Sequence, residues 1–171
     1  MIVGQAFLTV VFVSEYSKRE RRDRQECLSY IAYMYEDTLL RLARDDRFRL
    51  SEAPAEPVSE RRNPACGDEI ALMADLSGGV VTELRFYAQG CAVCVASAAA
   101  LCEELDGMDT ENAVARLLEG LIFFKTDSDW SADWGHDTLP ALGAIRARPM
   151  RMACVRMAWE GMMDALGDQI S

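Results

Sequence analysis

Two strand-like segments joined by a glycine turn, followed by a helix-patterned half of the chain, restrict the possible folds most strongly. Residues 69–76 (EIALMADL) alternate in part between apolar and polar side chains, SGG at 77–79 supplies a turn, and residues 80–88 (VVTELRFYA) return. This order predicts a β-hairpin. From Ala92 onward the pattern is helical. We therefore predict the α+β class, with a small antiparallel sheet packed against several helices.

The remaining elements follow from apolar spacing, capping residues and prolines. Residues 50–65 hold three prolines and predict an extended linker with one short edge strand near Val58. The chain after the hairpin predicts two helices of ordinary length, one short helix and a final helix that starts at a proline. Together with an upstream helix, the predicted ranges are 26–46, 92–105, 110–125 (capped by Asp109 or Thr110), 139–146 and 149–166.

The 171 residues suit one domain with its own core. Residues 1–26 differ from the rest, because an apolar stretch is followed by a dense charge run (KRERRDR, 18–24). We predict an atypical N-terminal extension over 1–26 and a single domain over 27–171. Met34 as the natural start, with extra residues upstream, is an open alternative.

The cysteine count and the charge bear on compartment and partners. Six cysteines without a recognisable signal peptide favour a cytoplasmic protein with reduced thiols, because basic residues follow the apolar run at 1–13 instead of preceding it. That run is also shorter than the roughly 20 residues that span a bilayer. A net charge of −10 disfavours nucleic acid and anionic membranes as partners. A basic protein partner and simple solubility both remain compatible with it.

Three separated positions carry metal or thiol chemistry. Cys66 and Asp68 flank a glycine before a predicted strand, and thiolate and carboxylate both ligate zinc or iron. Cys91 follows Gly90 at a predicted helix start, where the helix dipole favours a thiolate. Cys154 lies in the final helix, one turn after Arg151. A Cys91/Cys94 redox couple, half of a metal site and one working cysteine beside a bystander all stay open at this point.

Three motifs in order then resemble a known family. They are N-P-x-C-G-D at 63–68, G-C-A-x-x-x-A-S-A from Gly90, and P-x-R-x-x-C at 149–154. The pattern resembles iron–sulfur cluster assembly proteins of the IscU/NifU/SufU type. The resemblance implies that three cysteines and an aspartate converge at one end of an α+β domain, bind Zn²⁺ or a nascent [2Fe–2S] cluster, and take sulfur from a cysteine desulfurase. Carried over, these residues are Cys66, Asp68, Cys91 and Cys154.

The interval between Cys91 and Cys154 resembles the SufU branch, which implies an insertion around 120–145. Ala153 stands where the family usually has His or Lys, so the resemblance points to Asp68 as the fourth ligand. The sulfur acceptor is Cys66 by the SufU comparison and Cys154 by the IscU comparison. Either a scaffold or a zinc-dependent sulfurtransferase-type acceptor is implied, with a SufS-like desulfurase and downstream iron–sulfur acceptor or assembly proteins as partners.

Two other functions compete with this interpretation. One is a thiol–disulfide oxidoreductase that uses Cys91/Cys94, which the lack of a preceding βαβ pattern disfavours. The other is a non-catalytic interaction module stabilised by zinc. Several further residues are predicted to be structural, namely Cys94, Cys102 and the methionines of the last helix (150, 152, 157, 162 and 163) as core, and His136 as a solvated loop residue. Trp130 and Trp134 predict either a partner surface or packing of the inserted loop.

Overall fold

The computed structural model describes residues 37–126 and 138–170, all within one compact unit, Tyr35–Ser171. The described residues form a three-stranded sheet and five α-helices, which confirms the predicted α+β class. The strands are β1 (Ser59–Arg62), β2 (Glu69–Asp75) and β3 (Thr82–Gln89). The helices are α1 (37–44), α2 (Ala92–Leu105), α3 (Thr110–Lys125), α4 (Thr138–Gly143) and α5 (Pro149–Ile170), with a 3₁₀ helix (Ala144–Ala147) after α4.

The sheet is the predicted hairpin with one edge strand added. The strands run antiparallel in the order β1-β2-β3. Leu72 lies opposite Phe86 and Ile70 opposite Ala88, so alternate residues of both strands face the core. The predicted edge strand is confirmed as β1, and the Val58 N–H donates to the Leu72 carbonyl at 2.8 Å immediately before it.

The helices cover one side of the sheet and bury most of the core. In α2 small apolar residues predominate, and it is buried from Cys94 to Cys102, which lets it pack closely on α5 and β3. Trp159 of α5 is fully buried and meets Phe124 of α3 edge-on, with ring centroids 5.3 Å apart. Gly120 leaves room for this indole, because a Cβ there would lie 2.8 Å from Trp159 Cζ3.

Most element boundaries agree with the sequence predictions. The bounds of α2 and α3 are as predicted, and Asp109 caps α3 by accepting from the Asn112 N–H at 2.9 Å. The final helix is longer than predicted and ends at Ile170, and the short helix tightens into the 3₁₀ turn after Gly143. Among the described helices, none is both long and apolar enough to cross a bilayer.

The predictions for structural side chains divide into three groups. Cys94 and Cys102 are core residues as predicted, and so are Met152, Met157 and Met162, while Met163 is half-buried. Met150 is an exception, because its side chain is 65% exposed at the start of α5. His136, Trp130, Trp134 and the N-terminal extension lie outside the described residues. The domain boundaries and the insertion around 120–145 stay predictions.

Candidate metal centre

A tight turn between β1 and β2 presents the first two candidate ligands. The Asn63 N–H donates to the Asp68 carbonyl and the Gly67 N–H donates to the Asn63 carbonyl, both at 2.8 Å. Gly67 has φ +78°, a left-handed conformation that favours glycine. The turn therefore leaves Cys66 exposed at its tip and returns Asp68 to a buried position at the start of β2.

Cys154 meets this turn from α5. Its Sγ lies 3.5 Å from Cys66 Sγ, and the ligand atoms of Cys66, Asp68 and Cys154 all lie within 4.8 Å of one another. Two sulfurs on one tetrahedral zinc ion, with Zn–S bonds of about 2.3 Å, stand about 3.8 Å apart. The three side chains thus have both the chemistry and the spacing to share one Zn²⁺ or iron ion.

Cys91 borders the cluster and is joined to it through Asp68. It is the N-cap residue of α2, with extended backbone, and its N–H donates to Asp68 Oδ2 at 3.2 Å. Its side chain is exposed and lies outside the three-residue group. The structure therefore brings Cys66, Asp68 and Cys154 together and leaves Cys91 in contact with the Asp68 carboxylate but outside this group.

Gly90 provides the space for that carboxylate. A Cβ on Gly90 would lie 2.8 Å from Asp68 Cγ and 2.9 Å from Asp68 Cβ, closer than side-chain carbons approach one another. The sequence motif contains this glycine, but its role toward Asp68 cannot be found from the sequence alone. The close approach of β3 to the turn creates this requirement.

The pKa of Asp68 and the pKa values of Cys91 and Cys154 shift in opposite directions. Burial disfavours the Asp68 anion, but hydrogen bonds with the thiols of Cys91, Cys154 and Cys66 outweigh it and lower the Asp68 pKa. Burial and then the Asp68 carboxylate raise the pKa of Cys91. The lowered thiol pKa expected from its helix start is therefore not found. Burial raises the pKa of Cys154 as well.

The opposite shifts favour protonated thiols at Cys91 and Cys154 beside a charged Asp68 carboxylate. Three thiolates beside a carboxylate in one partly buried cluster need a compensating cation. A divalent ion would supply that charge, and its binding would release thiol protons. The donor set and its charge balance fit a thiophilic divalent metal.

Two further residues that the sequence did not single out support the site. Asn63 is 6% exposed, and its Nδ2 donates to Cys154 Sγ at 3.2 Å. Ser97 Oγ donates to the Val155 carbonyl at 2.6 Å and accepts from Trp159 Nε1 at 3.1 Å, which ties α2 to α5 directly after Cys154. Both residues fall inside the quoted motifs, so their positions, though not their partners, could have been noted.

The fold and the cluster together define a class, that of small α+β domains that gather cysteines and an aspartate at one end. Residues 34–124 match the family described as the NifU-like N terminal domain, and the chain belongs to this family. The chain is 29% identical over 133 residues to the iron–sulfur cluster assembly scaffold protein IscU of Thermotoga maritima, covering 78% of this chain and 92% of that one. It is 30% identical over 107 residues to the zinc-dependent sulfurtransferase SufU of Bacillus subtilis, covering 61% and 71%.

Solved structures share the fold at lower identity. FiSufU from Fervidobacterium islandicum superposes with a TM-score of 0.65 at 21% identity, over 75% of this chain and 93% of that one. The N-terminal part of a NifU-like protein from Brucella abortus gives 0.63 at 15% identity, over 76% and 90%. The family match confirms the predicted family, and these structures confirm the predicted architecture. They do not favour the thiol–disulfide oxidoreductase, whose second cysteine, Cys94, is 1% exposed.

Proposed function

We propose that this protein assembles iron–sulfur clusters by binding a metal at Cys66, Asp68, Cys91 and Cys154 and by accepting sulfur from a cysteine desulfurase. The observation that carries the proposal is the approach of an exposed thiol, Cys66, to a buried thiol, Cys154, at 3.5 Å beside a carboxylate. The names of the relatives, an assembly scaffold and a zinc-dependent sulfurtransferase, support it.

The resident metal that we propose is Zn²⁺, with a nascent [2Fe–2S] cluster on the same ligands as the second candidate. Three thiolates and one carboxylate would give a site with a charge of about −2 around Zn²⁺. A carboxylate is a harder and weaker ligand than a thiolate for such an ion. Asp68 is thus the ligand that leaves most easily, which suits a site that must free a cysteine or exchange its metal.

The sulfur acceptor that we propose is Cys66, because its thiol is exposed whereas Cys154 is only 2% exposed. The Cys66 thiolate attacks the outer sulfur of a persulfide on the desulfurase, and an S–S bond forms on Cys66. The S–S bond of the donor breaks at the same time, and the donor cysteine leaves as a thiolate. Sulfur moves without net oxidation or reduction.

The partners that we propose are a SufS-like cysteine desulfurase and downstream iron–sulfur acceptor or assembly proteins. Exchange of persulfide between proteins needs reduced thiols, which supports a cytoplasmic location. The net charge of −10 suits a partner with a basic contact surface and disfavours nucleic acid.

Sulfur loading by a purified SufS-type desulfurase tests this function. The zinc-loaded protein is incubated with desulfurase and cysteine, and intact-mass spectrometry should show the gain of one sulfur atom. Cys66→Ser should abolish the gain, whereas Cys102→Ser, a change at a buried cysteine of α2, should leave it. Absence of loading on the wild-type protein would contradict the proposal.

A further inference from the structure

We infer that Asn63 is a positioning residue whose side-chain amide holds the Cys154 sulfur at the metal site. Held in this way, Cys154 stays a metal ligand and does not accept sulfur in place of Cys66. The inference rests on the proposed function in two respects, the metal site that includes Cys154 and the identity of the sulfur acceptor. The contact between Asn63 and Cys154 is independent of it.

The orientation of the Asn63 amide is fixed from both ends. Its Oδ1 accepts from the Ala65 N–H at 3.0 Å while its Nδ2 reaches Cys154 Sγ at 3.2 Å. A flipped amide would lose both hydrogen bonds and would set an NH₂ group against an N–H group. Because the side chain is 6% exposed, water cannot readily replace either partner.

Asn63 also joins the two chain segments that carry ligands. Its backbone N–H and carbonyl bond to Asp68 and Gly67 at 2.8 Å, so the residue is part of the turn that presents Cys66 and Asp68. Its amide reaches across to α5, where Cys154 lies in the second turn. Displacement of this one side chain would therefore move Cys154 relative to the other ligands.

The hydrogen bond distinguishes two neighbouring sulfurs. Cys154 is buried and receives the amide donor, whereas Cys66, 3.5 Å away, stands at the exposed tip of the turn. A sulfur lone pair that accepts an N–H is less available to attack another sulfur. Outer hydrogen bonds of this kind also orient metal ligands. Cys154 would thus stay a ligand while Cys66 takes sulfur.

A turn-forming role for Asn63 is the competing explanation, and Asn63→Ser separates the two. A serine hydroxyl can still accept from a backbone N–H two residues on, as in an ST turn, but it is too short to reach Cys154. Asn63→Ala removes both contacts. Asn112→Ser is the control, because Asn112 also donates its amide to a side chain, Asp109 Oδ2 at 2.6 Å, at the start of α3.

Two measurements decide between these roles. Zinc affinity is measured by competition with a chromogenic chelator, and the Co²⁺-substituted protein is examined for thiolate-to-cobalt charge-transfer bands. We expect Asn63→Ser and Asn63→Ala to bind zinc about 10- to 100-fold more weakly than wild type, with changed cobalt bands. Asn112→Ser should match wild type. Wild-type affinity and cobalt bands in Asn63→Ser would overturn the inference.

Site-resolved alkylation provides the second readout. In the zinc-loaded protein, Cys154 should become alkylated faster in Asn63→Ser, and persulfide should appear on Cys154 as well as Cys66. Asn63→Asp keeps the side-chain size and the acceptor for the Ala65 N–H but removes the amide donor. It should show the same loss of Cys154 protection from alkylation. Retained protection in Asn63→Asp, or loss of the fold by circular dichroism in both Asn63→Ser and Asn63→Asp, would overturn a role confined to the site. Failure of the desulfurase to load wild type would contradict only the proposed function.

Discussion

Substitution of Gly90 by alanine tests how Asp68 is held at the site. The added Cβ would stand 2.8 Å from Asp68 Cγ, against an ordinary contact distance of at least 3.4 Å, so one group must move by about 0.6 Å. Asp68 is fixed through its carbonyl by the Asn63 N–H, so we expect its side chain to move. A shift of that size stretches the Cys91 N–H to Oδ2 contact, now 3.2 Å, beyond hydrogen-bonding range.

The expected cost follows from the bond that is lost. A hydrogen bond to a charged acceptor contributes about 1.5–3 kcal/mol. Because this hydrogen bond orients the carboxylate that we propose as a metal ligand, its loss should weaken zinc binding roughly 10- to 100-fold. Chelator competition measures the affinity. Gly78→Ala is the matched control, because a Cβ on Gly78 meets nothing within 4 Å.

A double-mutant cycle with Asp68→Ala shows whether the effect passes through the carboxylate. Once Asp68 is truncated, Gly90→Ala should cost little further affinity. Unchanged zinc affinity in Gly90→Ala would refute the steric argument. An equal loss in the Asp68→Ala background would show that the glycine acts on another part of the site.

Three further predictions concern the core cysteine and the helix packing. Cys94→Ser should retain as much zinc per chain as wild type by metal analysis, because Cys94 is a core residue; loss of zinc would mean that it is a ligand. Burial raises the pKa of Cys94 from 9.0 to about 12, so its thiol stabilises the fold fully below pH 9, and this contribution is lost between pH 9 and 12. The free energy of unfolding of the metal-free, reduced protein should therefore fall by up to about 1.4 kcal/mol per pH unit through this group. Urea titrations from pH 8 to 11 measure this slope, and Cys94→Ala should remove the contribution of Cys94 to it. A slope unchanged by Cys94→Ala would contradict the raised pKa of Cys94. Gly120→Ala should destabilise the metal-free protein by about 1–3 kcal/mol, because its Cβ would lie 2.8 Å from Trp159 Cζ3, and wild-type stability would refute this.

The local elements could be predicted from the sequence because their signals are local. The SGG turn sits between two alternating strands, and an aspartate cap precedes α3, so the hairpin and the start of that helix follow from residues close in the chain. The length of α5 beyond Leu166 and the exposure of Met150 did not follow. Both depend on where the rest of the fold ends and which helix surface it covers.

The identity of the clustered residues could be predicted, but their environment could not. The motifs pointed to Cys66, Asp68, Cys91 and Cys154. The structure brings Cys66, Asp68 and Cys154 together and leaves Cys91 beside Asp68, outside that group. The raised pKa of Cys91 was not foreseen, because burial and the carboxylate of Asp68 act on it through the tertiary fold. The contacts of Gly90 and Asn63 are likewise made across segments that are distant in sequence.

X-ray absorption at the zinc edge of the purified protein tests the proposed metal site most directly. Ligation by Cys66, Asp68, Cys91 and Cys154 predicts three sulfur ligands at about 2.3 Å and one oxygen at about 2.0–2.2 Å. Asp68→Ala should remove the carboxylate oxygen and leave the three sulfurs. Four sulfur ligands in the wild-type protein would replace Asp68 by a fourth cysteine, and fewer than three would exclude the cysteine ligands; either result would contradict the ligand set that we propose.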